Sequence, residues 1–482
     1  MRLAAQVPIL LVVDFCQAHL APSGAPAPVA IDVDVAIIGG GSSGIHAAIR
    51  LKDAGAKVVV IEKKSQIGGH AETYRHLKTG ILSNVGVVLF ENTEIVKNYF
   101  ARLRVPMGNH DQRVGPKARE SYDFSTGLFI PEPNSTTSAA IEKDISNALH
   151  AFSKNILSKY PWVDEGYFLP EPIPEELTVP FGQMALRYNF TALLPTIARL
   201  NWYAGNISTI PALYGIKSFG HGLLRSFTSH FIVCASGNTR TLYDAAAAAL
   251  GDTVLLNAMI IYANRQNGGS EPAARRVSLV VQQPNEAPKH IRARKLLVAI
   301  PPTAENIRIF DLSESERSLF SKFSALGYVT GVAELPGLNS SLENVGAFTP
   351  YHMPVIPGSI GLYKLGFPNG YQIGVAFDGV NYAEADAQAI VRKELHTLGA
   401  VGAVPPDSSR VVTFPFVSNH APYNMRVSGE EIGKGFYREL LGLQGTRNTY
   451  WTGATFAGHN SGVIWRWNEG VVLPALKNDL QL

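Results

Sequence analysis

The clearest pattern of apolar positions lies near the N-terminus, where two unbroken apolar runs flank a helical stretch. Residues 33–38 and 58–61 are rich in β-branched side chains, which is typical of strands buried on both faces. Between them, residues 42–54 place apolar side chains at helical spacing, and Gly55 follows as a helix-ending residue. The pattern predicts a strand, a helix and a second, parallel strand.

Strand and helix patterns of different kinds alternate along the rest of the chain. An irregular stretch rich in proline and aromatic residues covers positions 86–215. After it, residues 277–282 and 295–300 predict buried strands, residues 328–377 an antiparallel sheet, and residues 383–398 a helix. Strand–helix patterns typical of nucleotide-binding folds thus alternate with irregular and antiparallel-strand patterns, which indicates two discontinuous and interleaved domains.

Composition narrows the possible partners. The chain has 482 residues, of which 46% are hydrophobic and 17% charged, as in an ordinary globular protein of two or three domains. Its formal net charge is +3 and no basic tract stands out, so we expect no nucleic-acid partner. We find no cluster with metal-ligand spacing and no nucleophile elbow, so we predict no metal.

The N-terminus resembles a targeting segment. A positive start at Arg2 is followed by an apolar run at residues 7–13 and by small residues and prolines at 18–30. We therefore expect residues 1–24 to be a secretory signal peptide and the protein to enter the secretory pathway. The apolar run is shorter than the ~20 residues of a membrane span. Asp14 interrupts it, and the alternative interpretation is a disordered tail.

A glycine motif joins the first predicted strand to the first helix. Gly39, Gly41 and Gly44 form G-x-G-x-x-G, in which the glycines allow a sharp turn, approach to a pyrophosphate and close helix–strand packing. The helix N-terminus then directs free N–H groups at the phosphates. Glu62 ends the second strand about 20 residues later, where a carboxylate binds the ribose hydroxyls and disfavours a 2′-phosphate. The motif predicts a dinucleotide site that does not favour NADP.

The residues after Glu62 favour FAD over NAD. A second glycine pair, Gly68 and Gly69, lies in EKKSQIGGHAETY, residues 62–74. In flavoproteins of the glutathione-reductase type such a turn runs beside the pyrophosphate, whereas an NAD dehydrogenase does not need it. The sequence has no second G-x-G-x-x-G, so we expect no NAD(P)H domain and electrons that come from the substrate.

These motifs resemble those of a known family. IIGGGSSGIHAAIRL, GGHAETY and the C-terminal segment are similar to the flavin-containing amine oxidase superfamily, and within it to the fungal β-cyclopiazonate dehydrogenase-like flavoproteins. The resemblance implies an α/β fold in which a Rossmann-type FAD-binding domain, of the glutathione-reductase and amine-oxidase type, is interleaved with an α+β substrate domain. The FAD-binding domain would comprise residues 31–95, 216–302 and 411–482, and the substrate domain residues 96–215 and 303–410.

The resemblance also implies contacts with the cofactor. His70 stands where the family usually has arginine, and it either contacts the flavin or phosphate or is merely structural. The implied cofactor-binding residues are Gly39, Gly41, Ser43 and Gly44 at the pyrophosphate, Glu62 with Lys63 at the ribose, Gly69 and His70 at the second turn, Gly86 (with Asn84 and Val85) near the isoalloxazine, Met259 at the adenine, Gly453 at the ribityl chain, and Gly462, Val463 and Ile464 at the start of the last helix.

Candidate catalytic residues follow from two further segments. The stretch 416–428 resembles the family segment whose aromatic residue covers the flavin, and aromatic walls orient a substrate and exclude water. For each candidate the alternative is an ordinary core or surface residue. The candidates are Tyr423 and His420, with Asn419 beside them, and His459 and Trp451 in the C-terminal segment, with Trp465.

One departure from the family bears on the reaction. Many amine oxidases have a lysine near flavin N5 that helps oxygen chemistry, but residues 326–335 contain none, and Thr330 or Gly331 stands there. We expect an FAD-dependent oxidoreductase that oxidises a small apolar substrate (an amine, an indole alkaloid or another secondary metabolite) by hydride transfer to N5. Oxygen or another acceptor would then reoxidise the flavin. The alternatives are a redox-neutral double-bond isomerase of a lipid or polyene, and a non-catalytic FAD-binding protein.

Overall fold

The computed structural model describes residues 30–110, 119–203, 205–265 and 277–482. The predicted signal peptide, residues 1–24, lies outside the described residues. Within those four ranges, no helix combines the length and the apolar character that a membrane span requires.

The strands divide into two large sheets and two small ones. In chain order they are β1 Ala30–Ile38, β2 Val58–Ile61, β3 Thr73–Arg75, β4 Leu82–Asn84, β5 Met107–His110, β6 Arg119–Tyr122, β7 Phe129–Ile130, β8 Phe231–Cys234, β9 Val254–Leu255, β10 Met259–Arg265, β11 Val277–Gln282, β12 Lys289–Val298, β13 Ser324–Glu334, β14 Ser341–Asn344, β15 Gly358–Lys364, β16 Gly370–Phe377, β17 Thr413–Asn419, β18 Tyr423–Arg426 and β19 Thr449–Trp451.

The helices cover the sheets and fill the irregular region between them. In chain order they are α1 Ser42–Asp53, α2 Glu94–Arg102, α3 Ser135–Phe152, α4 Phe181–Arg187, α5 Leu194–Leu200, α6 Ala212–Lys217, α7 His221–Thr228, α8 Arg240–Leu250, α9 Ala304–Ile307, α10 Glu314–Ser321, α11 Glu384–Ala400, α12 Ser408–Val411, α13 Gly429–Gly433, α14 Phe436–Leu441, α15 Ser461–Trp467 and α16 Leu473–Leu480.

The first sheet is the predicted nucleotide-binding sheet. Its seven strands run in the order β10-β11-β12-β1-β2-β9, and β19 pairs with the second half of β12. β1 lies between β2 and β12 and is parallel to both. Because neighbours cover both of its edges and α1 packs against the same unit, the apolar run at its centre is fully buried. The α/β Rossmann prediction is confirmed.

The second sheet is largely antiparallel and carries its own core. Its eight strands run in the order β17-β13-β16-β15-β14-β6-β7, with β18 paired to β13. Apolar side chains from this sheet, among them Val329 and Ile373, pack against Val391 and Leu395 of α11. The antiparallel sheet predicted within residues 328–377 is confirmed by the pairing of β13, β15 and β16.

The C-terminal segment contributes strands to both large sheets. The sequence predicts residues 411–482 as part of the FAD-binding domain, and within that segment β17 and β18 form antiparallel ladders with β13 of the second sheet. β19 pairs with β12 of the first sheet, and the helices after it contact α1. An apolar stretch of sequence predicts a strand, but it carries no information about which sheet edge supplies the hydrogen-bond partners. The domain division stays a prediction.

A buried ion network ties together chain segments that lie far apart in the sequence. Arg265, at the end of β10, is fully buried, and its Nη1 and Nη2 donate to the two carboxylate oxygens of Glu316 at 2.8 and 3.0 Å. Its Nε donates to Asp311 at 2.9 Å. Arg447, just before β19, also donates to Asp311. Each buried charge therefore depends on its partner for stabilisation.

We expect Arg265→Met to destabilise the protein by about 3–5 kcal/mol, because it leaves the Glu316 carboxylate buried without its cation. Chemical denaturation measures the loss, and adding Glu316→Gln to the variant is expected to restore part of it. The matched control is Arg292→Met, which breaks a half-exposed pair with Asp32 (Nε to Oδ1 at 2.7 Å) and should cost far less stability, because solvent screens that pair. Equal losses for both arginines would contradict a role for burial.

Candidate active site

The G-x-G-x-x-G turn has a distinct geometry at each glycine. Gly39 has a φ of +103°, a conformation that side chains disfavour. A Cβ on Gly44 would lie 2.1 Å from the carbonyl oxygen of Gly39, so only glycine permits this approach of helix and strand. A Cβ on Gly41 would meet only the Cα of Gly69, at 3.9 Å. The two glycine turns thus face each other across a surface that carries no side chains.

The N-terminus of α1 opens onto this surface without a side-chain cap. Its N-cap residue is Gly41, and its first turn contains no acidic residue. The unpaired N–H groups and the helix dipole therefore favour an anion at this point. The hydroxyl of Ser43 is buried and donates to Thr452 at 2.9 Å, so its backbone rather than its side chain is available to a ligand. The arrangement fits a pyrophosphate.

Glu62 lies beside the same turn at the end of β2. Its Oε2 accepts from the backbone N–H of Gly40 at 2.6 Å and its Oε1 from that of Lys64 at 2.7 Å, which fixes the carboxylate. Each oxygen keeps a further lone pair, as a ribose contact requires. The carbonyl of Glu62 accepts from Ala258 at 2.9 Å, which brings the exposed Met259 next to the carboxylate. Lys63 is exposed beside it.

A cluster of aromatic rings continues from the second glycine turn. The rings of His70 and His420 stack with centroids 4.2 Å apart and planes 8° apart. Tyr423 lies 4.3 Å from His459 in an edge-on arrangement and 4.8 Å from Tyr328. The cluster therefore joins the Gly69 turn, strands β13 and β18, and the C-terminal segment, and it includes three of the four predicted catalytic residues. We call these five residues the ring cluster.

Backbone contacts fix the position of two of the histidines. The carbonyl of His70 accepts from Val87 at 3.1 Å, and a Cβ on Gly86 would lie only 1.7 Å from that same oxygen. Gly86 is thus required for the packing of the two chain segments. The N–H of His420 donates to the carbonyl of Tyr328 at 2.8 Å. Strand pairing in the second sheet therefore places His420 on the ring of His70.

The environment keeps two of the histidines neutral. Burial, together with the nearby His420, His459 and Lys64, holds the pKa of His70 well below its usual range. Burial and His420 lower the pKa of His459 to about 4. His459 nevertheless keeps part of its surface exposed. The resulting wall is aromatic and largely uncharged.

Glu72 and Lys64 were not predicted, yet they contact the cluster. Glu72 is buried, its Oε2 lies 2.9 Å from Nε2 of His420, and its Oε1 accepts from Lys64 Nζ at 2.8 Å. Burial alone would raise the pKa of Glu72, but the hydrogen bonds from His420 and Lys64 outweigh it and lower the pKa to about 2. The acidic residue in GGHAETY was the available signal, but its partner comes from β17, which is distant in sequence.

Thr330 occupies the strand position where the family lysine was expected. It is fully buried, and its hydroxyl donates to the carbonyl of Val85 at 2.6 Å and lies 3.1 Å from that of Ile373. Val85 belongs to the segment expected beside the isoalloxazine. The strand therefore approaches that segment with a neutral hydroxyl whose hydrogen bond is already made.

Three expected site residues lie elsewhere. Trp451 is fully buried and packs on Phe320 with centroids 4.8 Å apart, so neighbouring side chains cover its ring. Trp465 is buried beneath the glycine turn, where its Nε1 donates to the hydroxyl of Ser42 at 3.0 Å. The side chain of Asn419 donates to the carbonyl of Tyr382 at 2.9 Å. Packing and local hydrogen bonds occupy all three side chains.

Gly453 and Gly462, both in the C-terminal segment, differ in the room that they leave for a ligand. Gly453 has a φ of +108° and nothing within 4 Å of its Cβ position, so it borders free space. Gly462, Val463 and Ile464 form the first turn of α15, as expected. The N–H of Gly462 already donates to the side chain of Asn460 at 2.8 Å, and that of Ile464 to the carbonyl of Asn460 at 2.9 Å. Of these three residues, Val463 is the one whose backbone N–H a ligand can use at this turn.

Comparison with known proteins agrees with this geometry. Residues 37–103 match the NAD(P)-binding Rossmann-like domain model. The chain is 54% identical to an FAD-dependent oxidoreductase of Colletotrichum higginsianum over 465 residues, 96% of this chain and 97% of that protein. The chain belongs to the FAD-dependent oxidoreductase family. Another relative of this enzyme is the β-cyclopiazonate dehydrogenase of Aspergillus oryzae, 32% identical over 92% of each chain.

Solved structures show the same fold. A fatty acid isomerase from P. acnes superposes with a TM-score of 0.69 at 18% identity, covering 92% of this chain and 98% of its own. Cyclohexylamine oxidase from Brevibacterium oxydans superposes with a TM-score of 0.59 at 15% identity, covering 94% of this chain and all of its own. At these identities the likeness concerns the fold alone, and it confirms the predicted amine-oxidase-type architecture of this family member.

We expect Gly41→Asp to abolish FAD binding, because the carboxylate would lie against the pyrophosphate and repel it. The measurement is the visible flavin absorbance of purified protein after reconstitution with FAD, together with its calorimetric affinity. Gly470→Asp is the matched control, since Gly470 has nothing within 4 Å of its Cβ position and no positive φ. A yellow, fully loaded Gly41→Asp protein would place the cofactor elsewhere.

Proposed function

We propose that this enzyme binds FAD and oxidises a small, largely apolar organic substrate, such as an amine, an indole alkaloid or another secondary metabolite. The observation that carries the proposal is the ring cluster directly after the Gly69 turn, with His70 stacked on His420. When bound, FAD supplies a two-electron acceptor at N5, which can take a hydrogen together with both electrons of its bond.

The ring cluster suits an apolar substrate because its surface is aromatic and desolvation disfavours charge on His70 and His459. Tyr423 and Tyr328 lie in edge and tilted contact within it, so their faces can hold a planar substrate and exclude water. The Glu72 carboxylate is paired with Lys64 and His420 and does not present a free charge.

Thr330 favours a dehydrogenase over a fast oxidase. Its neutral, hydrogen-bonded hydroxyl adds no positive charge near Val85, where the family lysine would help oxygen to accept electrons. Reoxidation by oxygen or by another acceptor completes the proposed cycle, and Thr330 favours an acceptor other than oxygen. The name of the Aspergillus oryzae relative, a β-cyclopiazonate dehydrogenase, supports the same reaction type.

The second candidate function is a redox-neutral double-bond isomerase. The superposition on a fatty acid isomerase, with a TM-score of 0.69, favours this alternative, because the same fold supports that chemistry. A dehydrogenase and an isomerase differ in the final redox state of the flavin, which makes them separable by a single type of measurement.

Anaerobic mixing of the FAD-loaded enzyme with β-cyclopiazonate, with a panel of amines and indoles, or with a polyunsaturated fatty acid tests the proposal. We expect one of the amine or indole probes to bleach the flavin absorbance in stoichiometric amount, with no recovery until an acceptor is added. The Gly41→Asp protein with added free FAD is the control. Turnover of the fatty acid with the flavin oxidised at the end would favour the isomerase. If neither reaction occurs, both candidates are contradicted.

We also propose secretion, on the support of the pattern in residues 1–24. Expression of the full chain in a fungal host is expected to release protein whose N-terminus, read by mass spectrometry, begins after that segment. An intact N-terminus on intracellular protein would contradict the proposal.

A further inference from the structure

We propose that His420, oriented by Glu72, is the base that takes the substrate's proton during oxidation. This inference rests on the proposed function and assigns roles within the same site. Glu72 acts as a positioning residue, since it reaches the substrate only through His420.

The first support is the hydrogen-bond geometry of the pair. Nε2 of His420 lies 2.9 Å from Oε2 of Glu72. An ionised carboxylate only accepts, so Nε2 carries the hydrogen and donates it, and Nδ1 keeps the lone pair that can take a proton. The second oxygen of Glu72 accepts from Lys64 at 2.8 Å, which holds the carboxylate in place. Lys64, Glu72 and His420 thus form one ordered chain of contacts.

The second support is the difference between His420 and the two other histidines of the ring cluster. A proton on His70 or His459 would place a charge at a site where burial already disfavours it. A proton on His420 forms an imidazolium in direct contact with a carboxylate whose pKa its partners hold at about 2. The carboxylate stabilises that imidazolium, in the way an aspartate supports the histidine of a hydrolase triad.

Titratable or charged side chains from several chain segments lie close to His420. His70 stacks on its ring and Tyr328 lies 6.0 Å away. The titratable or charged groups around it among the described residues include Glu72, Lys64, His70, His459 and Tyr328, together with Tyr423 of the same cluster, and Glu384 accepts from the backbone of the preceding Asn419. Glu72 is the anion in direct contact with the ring, and Lys64 is the cation that opposes it.

The reaction balances with these groups. In a substrate H–C–X–H, where X is nitrogen, oxygen or carbon, the C–H bond breaks and its hydrogen leaves with both electrons to the oxidised flavin. The X–H bond breaks, its proton goes to Nδ1 of His420, and its electron pair forms the new C=X bond. Substrate, oxidised flavin and neutral histidine thus give product, reduced anionic flavin and imidazolium, which releases its proton to solvent.

The test compares Glu72→Gln with Lys64→Gln in FAD-loaded protein. The carboxylate of Glu72 can only accept, so it should hold the hydrogen of His420 on Nε2, whereas the amide in Glu72→Gln can also donate and should let the Nδ1–H tautomer form. Lys64→Gln keeps the carboxylate and should keep that hydrogen on Nε2. Nitrogen-15 NMR of histidine-labelled protein reads the tautomer without any substrate. If Glu72 does not orient His420, both variants will show the same tautomer.

Kinetics provide the second readout, with β-cyclopiazonate or whichever amine or indole probe bleaches the flavin. We expect Glu72→Gln to lower kcat by about 10²-fold, with KM little changed, and to shift the rising limb of the kcat/KM–pH profile to lower pH. Glu334→Gln is the matched control, since Glu334 lies 3.6 Å from Nε2 of His76 outside the cluster, and its profile should match that of the wild type.

Three results separate the outcomes. Loss of the Nε2–H preference in Glu72→Gln alone, together with the kinetic loss, supports the inference. The same tautomer in both variants, or wild-type kcat and pH profile in a folded, FAD-loaded Glu72→Gln protein, overturns it. If no probe bleaches the wild-type flavin, the proposed function fails by that observation, and the NMR tautomers still decide whether Glu72 orients His420.

Discussion

The close approach of two backbone turns, at Gly41 and Gly69, is the constraint on which the rest of the site depends. A Cβ built on Gly69 would lie only 3.1 Å from the Cα of Gly41, so a side chain on the second turn would crowd the first. The surface between the two turns lies at the uncapped N-terminus of α1, where backbone N–H groups and the dipole favour a diphosphate. It also sets the position of His70, the next residue after Gly69, and therefore the point where the ring cluster begins.

The ring cluster depends in turn on the second sheet. His420 follows β17, Tyr423 begins β18 and Tyr328 lies in β13, and β17 and β18 both pair with β13. The ladder places these rings against His70 of the second glycine turn, so the cluster joins that turn to the second sheet. Desolvation in this cluster keeps His70 and His459 neutral. An uncharged wall is what the proposed apolar substrate would require, and Glu72 with Lys64 introduces charge at the edge of the cluster.

Two buried carboxylates of this protein, those of Glu316 and Glu72, are paired with specific hydrogen-bond donors. Each has two partners, of which one comes from a distant segment. Glu316 accepts from the side chain of Arg265 and from the backbone N–H of Ser313. Glu72 contacts the side chains of His420 and Lys64. In the Arg265 network the result is a tie between β10, α10 and the chain before β19. In the ring cluster the same kind of pairing orients an imidazole. The first arrangement fixes the fold, and the second leaves a ring nitrogen available for chemistry.

Local sequence determined the dinucleotide half of this protein, because the strand β1, the glycine turn, α1, β2 and Glu62 are contiguous and each obeys a short-range rule of periodicity or backbone conformation. By family position, or by place in the C-terminal segment, the same reasoning singled out His70, His420, Tyr423 and His459, which lie together in the ring cluster. It did not foresee that β17 and β18 pair with β13 or that Trp451 is fully buried, since edge pairing and burial depend on residues far apart in the chain. The contact of Glu72 with His420 joins residues that only the packing of the two sheets brings together. Short-range physics therefore fixed the cofactor turn, whereas the substrate face, built from long-range contacts, was decided by the tertiary structure.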